Sequence, residues 1–283
     1  DTLSLIMKIF PLTGVLGAEI FDVDVTQESN FAEIFHAFIK YGVIAIRDQH
    51  ITPEEQILFA RRFGNINVNR FFTAHPHHPE IAMVLKEPHH QTAIGESWHA
   101  DNSYDQIPCR CSILHAIETP PYGGDTGFSS MSAAFSALSD NMKNFLRGLY
   151  AQHSSRHVFG YSMDNHETHE DGRVSNPGLA TQDVVHPVVI KHPLSDSECL
   201  FVNRDFTTHI EGLHADESKY ILKFLYDHAS DIAFTCRIRH MPGTITIWDN
   251  QATWHKAVND YDGYRRVMHR ISVEGVRLEP SRR

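Results

Sequence analysis

The stretch TITIWDNQATWHKAVNDYDGYRRVMHRISVE, from Thr244 to Glu274, decides how this chain folds. Two of its segments, Thr244 to Trp248 and Arg266 to Glu274, are rich in β-branched residues and bounded by turn residues, which predicts two β-strands. Asp249 and Asn250 directly follow the first strand and are interpreted as turn residues. The C-terminal part of the chain is therefore predicted to be sheet.

The same pattern of short β-rich runs separated by turn residues recurs toward the N-terminus. Further strands are predicted at Lys8 to Pro11, within Gly14 to Val25, and at Tyr41 to Arg47, Ser112 to Ile117, Val184 to Ile190, Leu200 to Asn203 and Phe234 to Arg239. Strands in excess, with a few helices mostly outside the strand-rich half, predict a mainly β double-sheet jelly roll with decorating helices. No repeat or Pro/Gly-rich linker divides the chain, so we expect a single domain over residues 1–283.

Four helices are predicted from apolar spacing and capping residues. The first has Phe31, Ile34, Phe35, Phe38 and Ile39 on one face and ends before Gly42. The second begins with a capping box of Thr52 and Glu55 and turns Ile57, Leu58 and Phe63 inward. Ser139 caps a third, with the apolar stripe Met142, Phe145, Leu146 and Leu149, and Asp216 precedes a fourth, with Tyr220, Ile221, Phe224 and Leu225.

The composition argues against several classes of function. Asp and Glu number 35 against 25 Lys and Arg, and the resulting charge of -10 repels phosphate backbones and anionic membrane surfaces. No apolar run approaches the roughly 18 residues that a membrane helix needs. Four scattered cysteines are too few for a disulfide scaffold or a Cys-rich zinc site. We therefore expect a cytoplasmic protein that binds neither nucleic acid nor membrane.

Histidine is in excess, with 21 residues, so metal chemistry is considered next. His99 and Asp101 are two residues apart, and on an extended segment this spacing places them on one face. His255 follows the strand that ends at Trp248. Two imidazoles and one carboxylate on one face of an ion leave three octahedral positions open, which lets non-haem Fe(II) hold a bidentate cosubstrate and O₂ together. Arg266 would supply a fixed positive charge for a dicarboxylate cosubstrate, or it could form an ordinary solvated pair with Arg265.

A competing metal site would use the histidines at positions 75, 77, 78, 89 and 90. Prolines and polar neighbours predict that this segment is a loop whose histidines merely line or solvate it.

Several motifs, in order, extend over almost the whole chain. They are PLTGVLGAEI from Pro11, RDQHITPEEQ from Arg47, WHAD from Trp98, GGDTGF from Gly123, VHP from Val185, FVNRDFTTHI from Phe201, and WDNQATWHKA through RRVMHR from Trp248 to Arg270. With these motifs the chain resembles the taurine dioxygenase and 2,4-dichlorophenoxyacetate dioxygenase family of Fe(II)- and 2-oxoglutarate-dependent enzymes.

The resemblance implies a double-stranded β-helix in which His99, Asp101 and His255 bind Fe(II). It also implies that Thr126 and Arg266 hold the distal carboxylate of 2-oxoglutarate. Arg270 would face the acidic group of the primary substrate. From the residues alone, Thr126 could equally be a turn threonine after two glycines, and Arg270 could close a surface ion pair.

The activity that this resemblance implies is the hydroxylation of a substrate carbon, coupled to decarboxylation of 2-oxoglutarate to succinate and CO₂ with O₂ as oxidant. The presence of Asp101 argues against halogenation. If the hydroxylated carbon bears a sulfonate, sulfate or ether oxygen, the product would collapse to a carbonyl compound and break that bond. The alternatives are a hydroxylase of an amino acid or natural-product intermediate, and a catalytically silent metal-binding jelly roll. By analogy with relatives, a homo-oligomer is expected.

The substrate is predicted to be a small organic anion with an apolar or aromatic body. The positions that bind taurine in taurine-specific members correspond here to Arg70 and Gly95, so taurine itself is not expected. Arg70 is predicted to contact the anion, unless it is a loop arginine paired with a surface carboxylate. Tyr104, Phe159 and Phe206 are predicted to lie nearby. The resemblance also makes the segment with His75 to His90 a flexible lid, so that one or two of these histidines could face the substrate.

Overall fold

The structure is a computed structural model that describes residues 6–161 and 166–282. The strands within these ranges are β1 Lys8–Pro11, β2 Ala18–Phe21, β3 Val43–Ile46, β4 Ile66–Asn67, β5 Ala74–His75, β6 His78–Lys86, β7 Cys111–Glu118, β8 Thr126–Ser130, β9 Tyr150–Ser154, β10 Asp183–Pro187, β11 Val189–Lys191, β12 Glu198–Leu200, β13 Thr207–Ile210, β14 Thr235–Ile238, β15 Ile245–Asp249, β16 Thr253–Ala257, β17 Arg266–Val273 and β18 Glu279–Pro280. The α-helices are α1 Phe31–Tyr41, α2 Pro53–Arg61, α3 Met131–Ser136, α4 Asp140–Leu146, α5 Arg156–Phe159, α6 His166–Glu170 and α7 Ala215–Ala229.

A large sheet joins strands from both ends of the chain. Its order is β1-β2-β3-β15-β7-β17-β6-β5, and β4 also pairs with β17. A smaller sheet has the order β14-β8-β16, and two further three-stranded sheets contain β10-β9-β13 and β12-β11-β18. The fold is therefore mainly β with several helices.

The large sheet and the β14-β8-β16 sheet pack face to face. Phe128 of β8 and Ile238 of β14 share a buried cluster with Leu114, Trp248 and Met268 of the large sheet. Side chains alternate between the two faces of a strand, so Ile247 of β15 points the other way. It joins the cluster under α1 and α2. The same alternation places Arg266 and Arg270 of β17 on the face of Met268, between the two sheets.

The helices cover the outer faces of these layers. The apolar face of α1 and the buried residues of α2 pack on the far side of the large sheet, and α3 and α7 pack against β11, β12 and Trp254 of β16. The predicted ends of three helices are confirmed: Gly42 follows α1, Thr52 and Glu55 form a capping box at α2, and Ser139 caps α4. The fourth, α7, begins one residue before Asp216.

Four predicted inward-facing residues are instead exposed, because the buried face of each helix runs through other positions; they are Leu58, Phe145, Tyr220 and Phe224. Three strand predictions also differ. The run from Val184 to Ile190 forms two strands in different sheets, β10 and β11. Only Leu200 of the predicted strand at Leu200 to Asn203 belongs to a strand, and the predicted Gly14 to Val25 segment is extended only over Ala18–Phe21.

The predicted loop around the clustered histidines is the largest difference. His75 ends β5 and His78 begins β6, and these strands pair as a hairpin at the edge of the large sheet. From Ala82 to Lys86, β6 pairs residue by residue with β17. The polar residues near the start of β6 favoured a loop prediction. The strand forms because it pairs with β17, a non-local interaction that the local sequence does not show. Within residues 6–161 and 166–282, no helix is long and apolar enough to cross a membrane.

Candidate active site

Two strand segments bring His99, Asp101 and His255 together. The backbones of His99 and His255 exchange two hydrogen bonds, of 3.1 and 2.9 Å, which places the imidazoles side by side with ring centroids 4.1 Å apart. Oδ1 of Asp101 lies 3.6 Å from Nε2 of each histidine. All three side chains are buried, and one ligand atom from each lies within 4.8 Å of the others.

Hydrogen bonds orient these donors toward a common point. Nδ1 of His99 lies 2.7 Å from the carbonyl oxygen of Ser97, so Nδ1–H donates to it and Nε2 keeps its lone pair for an ion. Ser112 Oγ donates to Oδ2 of Asp101 at 2.7 Å, so Oδ1 is the oxygen that faces the two imidazoles. Asn250 in turn donates to Ser112 Oγ at 2.9 Å. Ser112 and Asn250 therefore support the carboxylate, a role that the turn interpretation of Asn250 did not include.

The charge states of Asp101 and His255 suit a metal, whereas at His99 the nearby Asp101 and Asp205 outweigh burial and raise the pKa. Burial opposes ionisation of Asp101, but the Arg270 guanidinium and the two imidazoles outweigh it and hold the pKa of Asp101 well below its usual range. Burial, aided by the neighbouring His99, holds the pKa of His255 well below its usual value. An ionised carboxylate with a neutral imidazole is the form that binds a cation. Two nitrogens and one oxygen on one side of a point fit Fe(II) with open positions.

Arg266 and Thr126 line a small cavity of about 50 Å³ beside His99 and His255. The Arg266 guanidinium is 6% exposed, and its Nε donates to the carbonyl oxygen of Gly124 at 3.1 Å. Among the described residues it forms no salt bridge, although a buried charge is costly without a partner. Gly124 has a φ of +69°, and a Cβ there would lie 3.3 Å from Arg266 Cδ, so glycine is needed for this approach. A buried guanidinium and a hydroxyl, from Arg266 and Thr126, therefore fit the carboxylate of a cosubstrate.

A larger cavity of about 440 Å³ is lined by His99 and Asp101 and shares Phe72 and Arg270 with the small cavity. Arg270 lines this cavity, with Nη1 3.4 Å from Oδ1 of Asp101 and its guanidinium carbon 4.4 Å from the centroid of the Phe72 ring. Its Nε is buried and has no hydrogen-bond partner among the residues that the structure describes. Of the residues predicted to contact substrate, four line this cavity: Tyr104, Phe159, Phe206 and Arg270. Tyr104 and Phe206 meet edge to face with centroids 4.8 Å apart.

Arg70, the fifth residue predicted to contact substrate, does not line this cavity. Its Nη2 donates to both carboxylate oxygens of Asp105, at 2.7 and 2.9 Å, and the guanidinium also lies against the rings of Phe71 and Tyr104. The alternative interpretation of Arg70, an arginine paired with a carboxylate, therefore matches its geometry. Sequence alone could not show that Asp105 is its partner.

The competing histidine cluster lies away from both cavities. The His75 ring packs 5.2 Å from His269, on the face of β17 opposite Arg270, and His78 pairs with Glu54 at 3.1 Å. His90 is buried beside Asp171. Over the described residues, the only group of three or more such side chains close enough to share an ion is His99, Asp101 and His255. The segment from His75 to His90, predicted to be a lid over the substrate, does not line the larger cavity. Residues 92–97, which follow it, line that cavity instead.

Two residues of the site were given no role by the sequence analysis. His240 follows β14, and its Nε2 lies 2.8 Å from Oγ1 of Thr126. Asp205 lines the larger cavity within the FVNRDFTTHI motif, with its carboxylate 3.7 Å from Nδ1 of His99. Each is brought to the site by long-range packing.

Comparison with known proteins places this site in a known family. Residues 8–272 match the model of the family described as taurine catabolism dioxygenase TauD, TfdA family. The chain is 31% identical to the alpha-ketoglutarate-dependent dioxygenase cnsM of Penicillium expansum over 94% of this chain and 77% of that protein. It is 29% identical to an alkylsulfatase of Acinetobacter baylyi, over 95% of this chain and 85% of that protein.

Solved structures agree with this placement. A taurine dioxygenase from Burkholderia xenovorans superposes with a TM-score of 0.81 at 28% identity, covering 97% of this chain and 93% of that chain. The chain belongs to the TauD/TfdA family. It is an Fe(II)- and 2-oxoglutarate-dependent dioxygenase, with Fe(II) as cofactor and 2-oxoglutarate and O₂ as cosubstrates.

Proposed function

We propose that this enzyme hydroxylates a small organic anion with an apolar or aromatic body, of the sulfonate, alkyl sulfate or aryloxyalkanoate type, and releases succinate and CO₂. The observation that carries the proposal is the pairing of Arg270 with aromatic walls in one cavity. The guanidinium lines the cavity, its Nε has no partner in the described part of the chain, and the aromatic residues that line the same cavity are Phe72, Tyr104, Phe159 and Phe206. An acidic group on Arg270 would place an apolar body against these rings.

The chain's own residues bind and orient the reactants. His99, Asp101 and His255 would hold the iron, and Thr126 and Arg266 would hold the distal carboxylate of 2-oxoglutarate. When bound, iron and 2-oxoglutarate together activate O₂ for insertion of one oxygen atom into a C–H bond. Arg270 fixes the substrate anion, and the aromatic walls exclude water and hold the reacting carbon near the metal ligands. The protein's contribution is therefore mainly positional.

A second candidate substrate is an amino acid or another anion that also carries an ammonium group. Asp205 favours it, because its carboxylate lines the same cavity and accepts no hydrogen bond from a described residue. It lies on the Nδ1 edge of His99, whereas Arg270 and Asp101 lie toward the Nε2 edge. A cavity with an anion and a cation on opposite sides of one imidazole is complementary to a zwitterion.

Membership of the dioxygenase family argues against the catalytically silent jelly roll that the sequence alone left open. A protein that bound only a structural metal would not need an unpaired buried arginine at Arg266 beside the metal ligands.

The first experiment measures succinate release by the Fe(II)-loaded protein with 2-oxoglutarate and O₂. The panel contains sulfonates, alkyl sulfates, aryloxyalkanoates and amino acids, and His255→Ala is the blank. Succinate well above the no-substrate background for one anionic class would support the proposal. Background turnover throughout, abolished by His255→Ala, would refute the proposed classes while keeping the iron site. Absence of any His255-dependent succinate would refute the assignment of His255 to the iron site.

Asp205→Asn separates the two substrate candidates. Matched pairs such as phenylalanine and 3-phenylpropionate differ by one ammonium group, and we expect the variant to raise KM only for the ammonium-bearing member if that class is the substrate. Asp196→Asn is the matched control, because Asp196 is an exposed carboxylate paired with Lys191. An equal effect on both members would assign Asp205 to His99 rather than to substrate.

We also propose that residues 1–283 form one double-stranded β-helix domain that acts in the cytoplasm as a homo-oligomer. The pairing of β1 to β3 with C-terminal strands in one sheet supports the single domain. All four cysteines are free and buried, as expected in a reducing compartment. Size-exclusion chromatography with light scattering tests the oligomeric state.

A further inference from the structure

His240 lies in a buried row of three polar side chains that ends at the small cavity. Its Nε2 is 2.8 Å from Oγ1 of Thr126, and its Nδ1 is 3.4 Å from Oγ1 of Thr246. All three side chains are at most 5% exposed. Thr126 and Arg266 line the cavity, whereas His240 and Thr246 lie behind Thr126. His240 therefore reaches the cavity only through the Thr126 hydroxyl.

The imidazole of His240 is neutral. Burial, with the positive charges of Arg266 and Arg47 nearby, holds the pKa of His240 well below its usual value. A neutral imidazole has one N–H donor and one acceptor nitrogen, so it can bond two hydroxyls in two ways.

The two tautomers have opposite consequences for Thr126. If Nδ1 carries the hydrogen, Nε2 accepts the Thr126 O–H, and the hydroxyl presents only lone pairs to the cavity. These would repel a carboxylate. If Nε2 carries the hydrogen, it donates to Oγ1 of Thr126, the Thr246 hydroxyl donates to Nδ1, and the Thr126 O–H is free to donate into the cavity.

We propose that His240 is a positioning residue for 2-oxoglutarate, which it serves by donating from Nε2 to Thr126 so that the Thr126 hydroxyl donates to the distal carboxylate. The proposal rests on the assignment of Thr126 to that carboxylate made above. Arg266 supplies the charge, and the row Thr246, His240 and Thr126 supplies a hydrogen bond of fixed direction. The same imidazole excludes water from behind the threonine.

The test is anaerobic calorimetry of 2-oxoglutarate binding to the Fe(II)-loaded protein and its variants. His240→Phe keeps a planar ring but cannot donate, and a hydrogen bond to a charged group is worth about 1.5–3 kcal/mol, so the dissociation constant should rise about 10- to 100-fold. His240→Gln retains an N–H donor and should recover most of the affinity. The melting temperature of each metal-free variant measures any general loss of packing.

A double-mutant cycle with Thr126→Val decides whether the effect passes through Thr126. Thr126→Val alone should raise the dissociation constant of 2-oxoglutarate. Adding His240→Phe to that variant should change this constant by less than a further factor of two. Full additivity, or unaltered binding in His240→Phe, would overturn the positioning role. Equal losses in His240→Phe and His240→Gln would assign the residue to packing alone. If Thr126→Val leaves binding unchanged, the assignment of Thr126 fails first, and the role of His240 fails with it.

Discussion

In the protein free of 2-oxoglutarate, Arg266 should lower the stability of the fold. The same residue should be essential for binding 2-oxoglutarate. Its guanidinium is 6% exposed, has one hydrogen bond to the carbonyl oxygen of Gly124 and has no acidic partner among the described residues. We therefore expect Arg266→Met, which keeps much of the side-chain volume, to have opposite effects on stability and on binding. The distal carboxylate of 2-oxoglutarate would supply the missing anion.

The magnitudes follow from the cost of an isolated buried charge. Replacing buried ionic groups with apolar residues of similar volume stabilises proteins by about 1–4 kcal/mol in favourable cases. At about 2–4 °C per kcal/mol, the melting temperature of the metal-free variant should rise by several degrees. Loss of a buried charged pair costs about 3–5 kcal/mol, so the dissociation constant of 2-oxoglutarate should rise by about two to four orders of magnitude.

Thermal denaturation of the metal-free protein and anaerobic calorimetry of the Fe(II)-loaded protein measure the two effects. Arg265→Met is the matched control, because the neighbouring Arg265 is exposed and pairs with Glu87 and Glu118. The control should change neither quantity appreciably, since surface ion pairs contribute about 0–1 kcal/mol. A lower melting temperature for Arg266→Met, together with retained affinity for 2-oxoglutarate, would refute the reasoning.

Three further predictions concern other charged groups. Arg270→Leu should raise KM for the acidic substrate at least tenfold while the dissociation constant of 2-oxoglutarate changes much less, and steady-state kinetics with calorimetry would expose an equal effect on both. Arg70→Ala should lower the free energy of unfolding by about 1 kcal/mol through loss of the Asp105 pair, and a rise in KM for an acidic substrate without that loss would restore a role in recognition. Burial and the nearby His75 lower the pKa of His269 to about 4 from 6.5, so its contribution to stability is full at neutral pH and declines as pH falls from about 6.5 toward 4. His269→Gln should flatten this decline by up to about 1.4 kcal/mol per pH unit in urea melts, and an unchanged slope would contradict it.

Local sequence patterns predicted those elements whose boundaries depend on local chemistry. The capping box at Thr52 and the glycine after α1 act within a few residues, and both lie where they were predicted. The strand β6 was missed because its stability comes from pairing with β17, nearly two hundred residues later in the chain. The break between β10 and β11 was missed for the same kind of reason, since each strand pairs in a different sheet.

The candidate site divides in the same way. His99 and Asp101 could be found from an i, i+2 spacing, and the family motifs supplied His255, Arg266 and Thr126. His240 has no such signal, because its position depends on how distant strands pack, and Asp205 lies within a quoted motif that did not mark it as part of the site. Arg70 illustrates the converse. Its aromatic neighbours suggested recognition of an anion, but Asp105, thirty-five residues away, already supplies one.

One strand carries both arginines that are proposed to bind anions. Arg266, Met268 and Arg270 occupy alternate positions of β17, so all three project from one face, and Met268 is fully buried between the sheets. At about 3.4 Å per residue, the two arginine backbones are about 13–14 Å apart. Under the proposed assignments, that spacing would give the cosubstrate carboxylate and the substrate anion one arginine each, with Arg270 lining both cavities. A shift of one residue in the pairing with β7 would turn both arginines toward α1 and α2 and remove both sites at once. The register of β17 therefore matters as much for recognition as the identity of either arginine.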